Sequence, residues 1–188
     1  MTIAEVLCHL PTLETDRLLL RKMTLEDAAD IFDYAHDLEV TRYVLWQPHR
    51  SIDDSQQFLA SVVAGYEHLY LADWGIVHKG DRKLIGSCGF HGWRPEHARA
   101  SLGYVLARAY WGQGYTTEAA RAVVAFGFEQ MQLNRIQADC HVNNLASARV
   151  MEKIGMRCEG ILRQYRFVKG AYWDFKRHSI LKADNCRG

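Results

Sequence analysis

The sequence predicts an α/β (α+β) fold: a mixed, mostly antiparallel sheet of about seven strands flanked by about four helices, in the order β-α-α-β-β-β-α-β-α-β-β. Three observations lead to it. Two stretches in the first third carry apolar residues at helical spacing: Ala28, Ile31, Phe32 and Ala35, then Phe58, Leu59, Val62 and Val63. The middle, Leu69 to Leu106, breaks into strand-like runs separated by turn residues. Beyond it, helix-like and strand-like runs alternate. The 188 residues, 48% of them hydrophobic, fit one domain spanning 1–188, with a core over about 13–182 and short tails.

In order, Arg17 to Met23 is a short apolar run flanked by charge, which suits a first strand because a helix start follows at once. That start is Thr24-Leu-Glu-Asp27, a capping-box pattern. Ser51-Ile-Asp-Asp54 opens the second helix. Between the two lies the aromatic connection Tyr43-Val-Leu-Trp-Gln-Pro48, where Trp46 either covers the core edge or walls an acceptor pocket. Leu69 to Val77 and Lys83 to Phe90 form a hairpin across Gly80-Asp81, and Ala98 to Leu106 adds a third strand after the Trp93 to His97 loop. A helix from Thr117 to Met131, a strand from Arg135 to Val142 and a helix capped by Asn144 and stopped at Gly155 follow. Arg157 to Val168, a Lys169-Gly170 turn and Tyr172 to Leu181 close the sheet, with Ala183 to Gly188 as a tail.

Charge excludes whole classes of partner. The net charge of +1, spread through the chain, gives no basis for general nucleic-acid or membrane binding, so any anion affinity is local. The five cysteines, Cys8, Cys88, Cys140, Cys158 and Cys186, show neither a C-x-x-C pair nor zinc-finger spacing and read as thiols in a reducing compartment. No run approaches the ~18 apolar residues of a membrane span, and no basic flank leads into a long apolar segment. The expectation is a cytoplasmic protein.

Tyr110 to Glu118, Tyr-Trp-Gly-Gln-Gly-Tyr-Thr-Thr-Glu, joins a strand-like run to a helix-like one. Glycines let backbone approach a ligand closely, and the first N–H groups of a helix lack partners, so such a turn suits a phosphate. A P-loop needs Gly-Lys-Ser/Thr, but Tyr115 follows Gly114; a dinucleotide fingerprint needs a third glycine where Thr117 stands.

The run Leu102 to Ala120 resembles the acetyl-CoA motif of the GNAT superfamily of N-acetyltransferases, in particular the branch containing bacterial ribosomal-protein N-terminal (alanine/serine) acetyltransferases. Asn144-Leu-Ala-Ser147 with Glu152-Lys-Ile-Gly-Met156 is a second match, and Glu14-Thr-Asp-Arg-Leu-Leu-Leu-Arg21 a third, so the resemblance covers nearly the whole chain. It implies acetyl-CoA as co-substrate, no metal, and direct attack of an amine on the thioester. It assigns Val105, Leu106 and Ala107 to the pantetheine arm by backbone, and Gly112, Gln113, Gly114, Tyr115, Thr116 and Thr117 to the pyrophosphate. Arg108, Arg121, Arg149 and Lys153 are nearby cations for further phosphates.

Many members place a Glu base near the third strand and a Tyr acid on the late helix; here those positions hold Ser101 and Met151. Ser147, on the first turn of the helix capped by Asn144, is the candidate donor to the departing thiolate, beside its alternative as a helix-start serine bonded only to its own backbone. His91, Glu96 and His97 are candidates for a base or water-holder, with His91 preferred. Trp46, His91 and Tyr165, with Trp173 and Asp174, are candidates to face the acceptor. The resemblance makes a protein or peptide N-terminal α-amine the leading acceptor. Small amines (a polyamine, an amino acid or an antibiotic) are the alternative, and an acyl-CoA-binding sensor without turnover the rival; the chain is a monomer or, through its strand edges, a homodimer.

Overall fold

In a computed structural model that describes residues 10–67 and 72–185, the strands are β1 (Leu13–Glu14), β2 (Leu18–Arg21), β3 (Ala72–His78), β4 (Lys83–Arg94), β5 (Arg99–Leu106), β6 (Arg135–His141), β7 (Arg157–Val168) and β8 (Ala171–Leu181). The helices are α1 (Ala28–Ala35), α2 (Leu38–Thr41), α3 (Ile52–Glu67), α4 (Tyr115–Glu129), α5 (Leu145–Lys153) and α6 (Lys182–Asn185). The strands form one sheet in the spatial order β1-β2-β3-β4-β5-β6-β8-β7, antiparallel throughout except where β5 meets β6.

Among the described residues there are eight strands rather than seven and six helices rather than four. The additions are short. β1 exists because Thr15 N–H donates to the Leu18 carbonyl at 3.0 Å and folds two residues back onto β2. The α2 and α6 helices have four residues each, too few to show a period, and α6 replaces the expected tail at Ala183. Leu69 to Leu71, expected to begin β3, and Cys8 and Cys186 lie outside the described residues. The thiols of Cys88, Cys140 and Cys158 are free.

The helix signals read from the sequence act as expected, with local changes. The Asp27 carboxylate accepts from Thr24 N–H at 2.7 Å, and the Asp54 carboxylate from Arg50 N–H at 2.7 Å. Tyr34, not Phe32, completes the buried stripe of α1. α4 begins at Tyr115, with Gly114 as its N-cap at φ 84°, because the glycine turn feeds straight into the first helical turn.

Two sheet faces are covered separately. On one, Trp74, Cys88 and Tyr104 stand opposite one another across β3, β4 and β5. Trp74 is fully buried, meets Phe126 of α4 edge-on at 5.2 Å, and donates from Nε1 to the Pro11 carbonyl at 2.7 Å. Burying a side chain of this size contributes roughly 3 kcal/mol, and its satisfied N–H removes the usual penalty. On the other face the row is Asp73, Gly89 and Gly103, under α1 and α3. Among the described residues no helix is long and apolar enough to cross a membrane.

Candidate active site

The sheet splits at its centre. β5 and β6 pair only at Arg99↔Arg135, Ala100↔Ile136 and Ser101↔Gln137, after which β5 continues to Leu106 beside a gap. Ala107 N–H donates to the Ile85 carbonyl at 2.7 Å, so by alternation Gly103, Val105 and Ala107 turn their backbone groups to β4, while Leu102, Tyr104 and Leu106 turn theirs to the gap. Of the three residues expected to meet a pantetheine arm by backbone, only Leu106 faces it, and its carbonyl already accepts from Trp111 Nε1 at 2.8 Å. The difference is one of parity: Tyr104, not Val105, turns its backbone to the gap beside Leu106, and Ala107 does not line the groove.

A groove of 980 Å³ runs along this gap to the glycine turn. Gly112 and Gly114 hold φ of 74° and 84°, left-handed values that any side chain would strain. None of the N–H groups from Gly112 to Thr117 donates to an acceptor among the described residues. They form a run of free donors at a helix N-terminus, the arrangement an anionic phosphate needs. Gly112, Gly114, Tyr115, Thr116 and Thr117 line the groove. Gln113 does not: its carbonyl accepts from Arg17 and its side chain donates to the Ala109 carbonyl at 3.1 Å, leaving only its N–H for a ligand. Arg149 and Lys153 line the groove, whereas Arg121 is spent on the Lys153 carbonyl at 2.9 Å and Arg108 lies 4.0 Å from Asp37.

Opposite the turn, Asn144 caps α5 by accepting from Ser147 N–H at 3.1 Å. The Ser147 hydroxyl is not used in that cap; it lies 2.9 Å from the Tyr104 hydroxyl, inside the groove. The Ser147 N–H therefore makes the cap while its hydroxyl faces the groove, so the side chain is not bonded only to its own backbone.

His91 and Trp46 also line the groove. Tyr165 does not. It is 45% exposed and lies beside Arg177 at 3.3 Å, because a bulge between Leu162 and Arg166, with Gln164 at φ 49°, reverses the alternation of β7 and turns Arg166 inward instead. Glu96 and His97 sit on an exposed turn, Trp173 packs on His141, and Asp174 accepts from Gln164 N–H at 2.7 Å; none lines the groove.

A profile described as "Acetyltransferase (GNAT) domain" matches residues 17–157. The chain belongs to the GNAT acetyltransferase family. An N-acetyltransferase of Bacillus subtilis, YoaA, described as uncharacterized, is 38% identical over 172 residues, which is 92% of this chain and 97% of that protein. The ribosomal-protein-serine acetyltransferase of Escherichia coli is 31% identical over 125 residues, 66% of this chain and 69% of that one. The crystal structure of a GNAT-family acetyltransferase from Bacillus anthracis superposes with a TM-score of 0.82 at 31% identity, covering 92% of this chain and 99% of that one.

As a GNAT acetyltransferase, the chain uses acetyl-CoA, and its groove fits that molecule: free N–H donors for the pyrophosphate, an unpaired strand edge for the arm, and a hydroxyl pair beyond it. Tyr104 was missed by the sequence reading. Burial pushes its pKa up, so the phenol keeps its proton. Burial also lowers the pKa of His91, helped by the positive charge of Arg166 and opposed by Asp139; the ring is open to the groove and neutral at pH 7. Burial pushes the Cys140 thiol up to about 11, so this groove-lining cysteine stays protonated and is a weak nucleophile. The other missed residue is Asp73, a half-buried carboxylate at the second position of β3.

Proposed function

We propose that this acetyltransferase acts on the α-amine at the N-terminus of a peptide or protein. The observation that carries the reading is a smaller cavity of 210 Å³ that joins the wide groove around Trp46, His91 and Gly103. At about 30 Å³ per water-sized group, the cavity admits a terminal amine and a short side chain, on the order of seven such groups. The chain beyond that residue has the open groove to follow. The Escherichia coli relative, by its name, acetylates ribosomal protein serine, which supports a protein acceptor.

Three tasks have to be met: an amine without its proton, a positioned thioester, and a donor for the departing sulfur. The free N–H groups of the turn and the free edge of β5 serve positioning. Tyr104 and Ser147 serve the sulfur: the phenol lies 3.0 Å from the Ser147 carbonyl and 2.9 Å from Ser147 Oγ, so its one proton goes to one or the other, and when it goes to Oγ the Ser147 proton is free to point into the groove. A serine hydroxyl is a weak acid alone, but a chain of two hydroxyls spreads the developing charge.

The test is thiol release from acetyl-CoA with peptides bearing a free N-terminus, set against a polyamine, an amino acid and an aminoglycoside. Turnover on peptides at least tenfold above the small amines supports the reading. Faster turnover of a small amine rejects it, and release no faster than buffer with every amine identifies a sensor.

A further inference from the structure

The smaller cavity has one carboxylate in its lining, that of Asp73. Its floor is the row Asp73, Gly89 and Gly103, directly opposite one another on neighbouring strands. Strands lie about 4.8 Å apart, so glycine at the second and third positions leaves a trough leading from Asp73 to β5. Over Gly89 that trough is filled by β3 and by Asp73 itself: a Cβ added there would stand within 2.5 Å of the Ala72 carbonyl oxygen, Asp73 Cα and Asp73 Oδ1, so the carboxylate lies against Gly89 at the edge of the cavity. A Cβ added to Gly103 would stand 3.3 Å from the His91 ring, at the mouth where the cavity meets the groove. The remaining walls are apolar or aromatic, with Ile31 and Tyr34 from α1, Phe58 from α3, and Trp46 and His49 from the connection between α2 and α3.

A carboxylate among such walls is costly unless a cation or proton satisfies it. No cation pairs with Asp73 among the described residues. The Ser87 hydroxyl and the Trp74 amide stand by it as donors, and the Tyr66 hydroxyl donates to its backbone carbonyl, at 2.7 Å, not to the carboxylate. The geometry points to Asp73 as the group that takes the proton from the acceptor amine, which is seated in the cavity between Asp73 and Gly103. This rests on the acetyl-transfer reading above but not on the class of the acceptor.

The step balances. The acceptor enters as an ammonium and gives one proton to the Asp73 carboxylate. The freed nitrogen lone pair forms the C–N bond to the thioester carbonyl carbon, the C–S bond breaks with its electrons on sulfur, and a second proton from nitrogen reaches the thiolate by way of Ser147 and Tyr104. Amide and CoA thiol leave, and Asp73 returns its proton to water through the groove.

The groups facing Asp73 leave it poised for this. They are Tyr34 from α1, Tyr66 from α3, His49 from the connection, and Ser87 and His91 from β4, with the buried Cys88 thiol on the opposite face of the sheet and the Asp27 carboxylate, held by Arg21, beyond the tyrosines. Burial lowers the pKa of both imidazoles, so neither gives Asp73 a fixed positive neighbour. Burial then pushes the Asp73 carboxyl up to about 7, against the opposing hydrogen bonds from Ser87 and Trp74. A base near the working pH is the most effective kind.

The experiment compares wild type with Asp73→Asn, using acetyl-CoA and either seryl-alanine amide or 1,4-diaminobutane as acceptor. Loss of a general base costs about 100-fold or more. We expect kcat/KM at pH 7 to fall by about 100-fold, acetyl-CoA affinity by calorimetry to stay within threefold, and the deficit to shrink as pH approaches the amine's own pKa. In wild type, kcat/KM should show an acid limb that keeps its position when the amine is changed, survives in His91→Asn, and vanishes in Asp73→Asn. Unchanged kcat/KM, a rise in KM with kcat unchanged, or a wild-type profile without that limb would overturn the proposal; the profile decides even if the variant folds poorly. Turnover of the diamine alone rejects the N-terminal acceptor and leaves Asp73 tested on the diamine, whereas no turnover with either overturns both.

Discussion

Arg17 and Glu118, far apart in sequence, clasp the glycine turn from outside: Arg17 Nε donates to Glu118 Oε2 at 2.7 Å while Arg17 Nη1 donates to the Gln113 carbonyl at 3.0 Å. The same carboxylate accepts from Thr15 Oγ1 at 2.7 Å and from Arg17 N–H at 3.0 Å, and the guanidinium lies 4.2 Å over the Tyr115 ring. The opening motif and the turn motif of the sequence are thus two halves of one structure. Glu118→Ala strips three donors of their acceptor. The expected loss is about 1–3 kcal/mol of stability and a several-fold weaker hold on acetyl-CoA, read by urea unfolding and calorimetry. Equal stability of the two proteins would mean the clasp is not worth its hydrogen bonds.

Gly114 carries the turn into α4. A Cβ there would meet Arg17 Nη2 at 3.6 Å, an ordinary contact, so the protein itself does not exclude a side chain. The left-handed φ costs a non-glycine residue about 1–2 kcal/mol, and a branched side chain would stand among the phosphate donors. Gly114→Val should therefore lower acetyl-CoA affinity by more than tenfold while the melting temperature drops by only several degrees. Unchanged affinity would remove the turn from the binding site.

The hydroxyl pair predicts a specific pattern of rates. Ser147→Ala and Tyr104→Phe each should lower kcat by about tenfold with acetyl-CoA affinity within threefold, because charge on sulfur grows only in the transition state. The double variant should lose little more than either single one, since both act through one chain of hydrogen bonds. Multiplying losses would show that the two hydroxyls act apart.

Motifs written in local chemistry were legible in the sequence. Asn144 caps α5, Gly155 at φ 89° follows its end, and Lys169-Gly170 turns β7 into β8, each where its backbone preference indicates. What depended on parity between distant strands was not. The facing of Ala107 follows from its bond to Ile85, and the exchange of Tyr165 for Arg166 from a bulge whose left-handed residue is a glutamine, not a glycine. Asp73 did leave a signal, as an acid inside an otherwise apolar strand, but its meaning came from Gly89 and Gly103 on two other strands.

Asp73 also ties stability to pH. Its pKa is about 7 in the folded chain against an ordinary 3.8, so between those values the native state binds more protons than the unfolded one. Stability from this group is therefore present at low pH and lost as pH rises through about 7. A displacement of this size corresponds to at most about 4 kcal/mol, and the opening of Asp73 to the cavity lets water reduce it. Asp73→Asn should raise the melting temperature relative to wild type by a few degrees at pH 8, and by less at pH 5. A difference that is the same at both values would place the Asp73 pKa near its ordinary one.

The same carboxyl predicts which amine is preferred. Handing a proton from an α-ammonium, with a pKa of about 7.7–8.0, to a group titrating at about 7 is uphill by about 1 kcal/mol. From a lysine ammonium, at about 10.4, the same transfer is uphill by about 4–5 kcal/mol, and at neutral pH the neutral fractions of the two amines already differ by more than a hundredfold. A base of this strength is matched to the α-amine. Two peptides of one sequence make the comparison, one with a free N-terminus and a blocked lysine, the other with a blocked N-terminus and a free lysine. The expected outcome is kcat/KM at least a hundredfold higher for the first at pH 7, with the gap closing toward pH 10 as both amines become neutral. A preference for the lysine peptide at pH 7 would require a stronger base than Asp73 in the groove, which His91, its pKa lowered by burial, is not, and would overturn this match of base to amine.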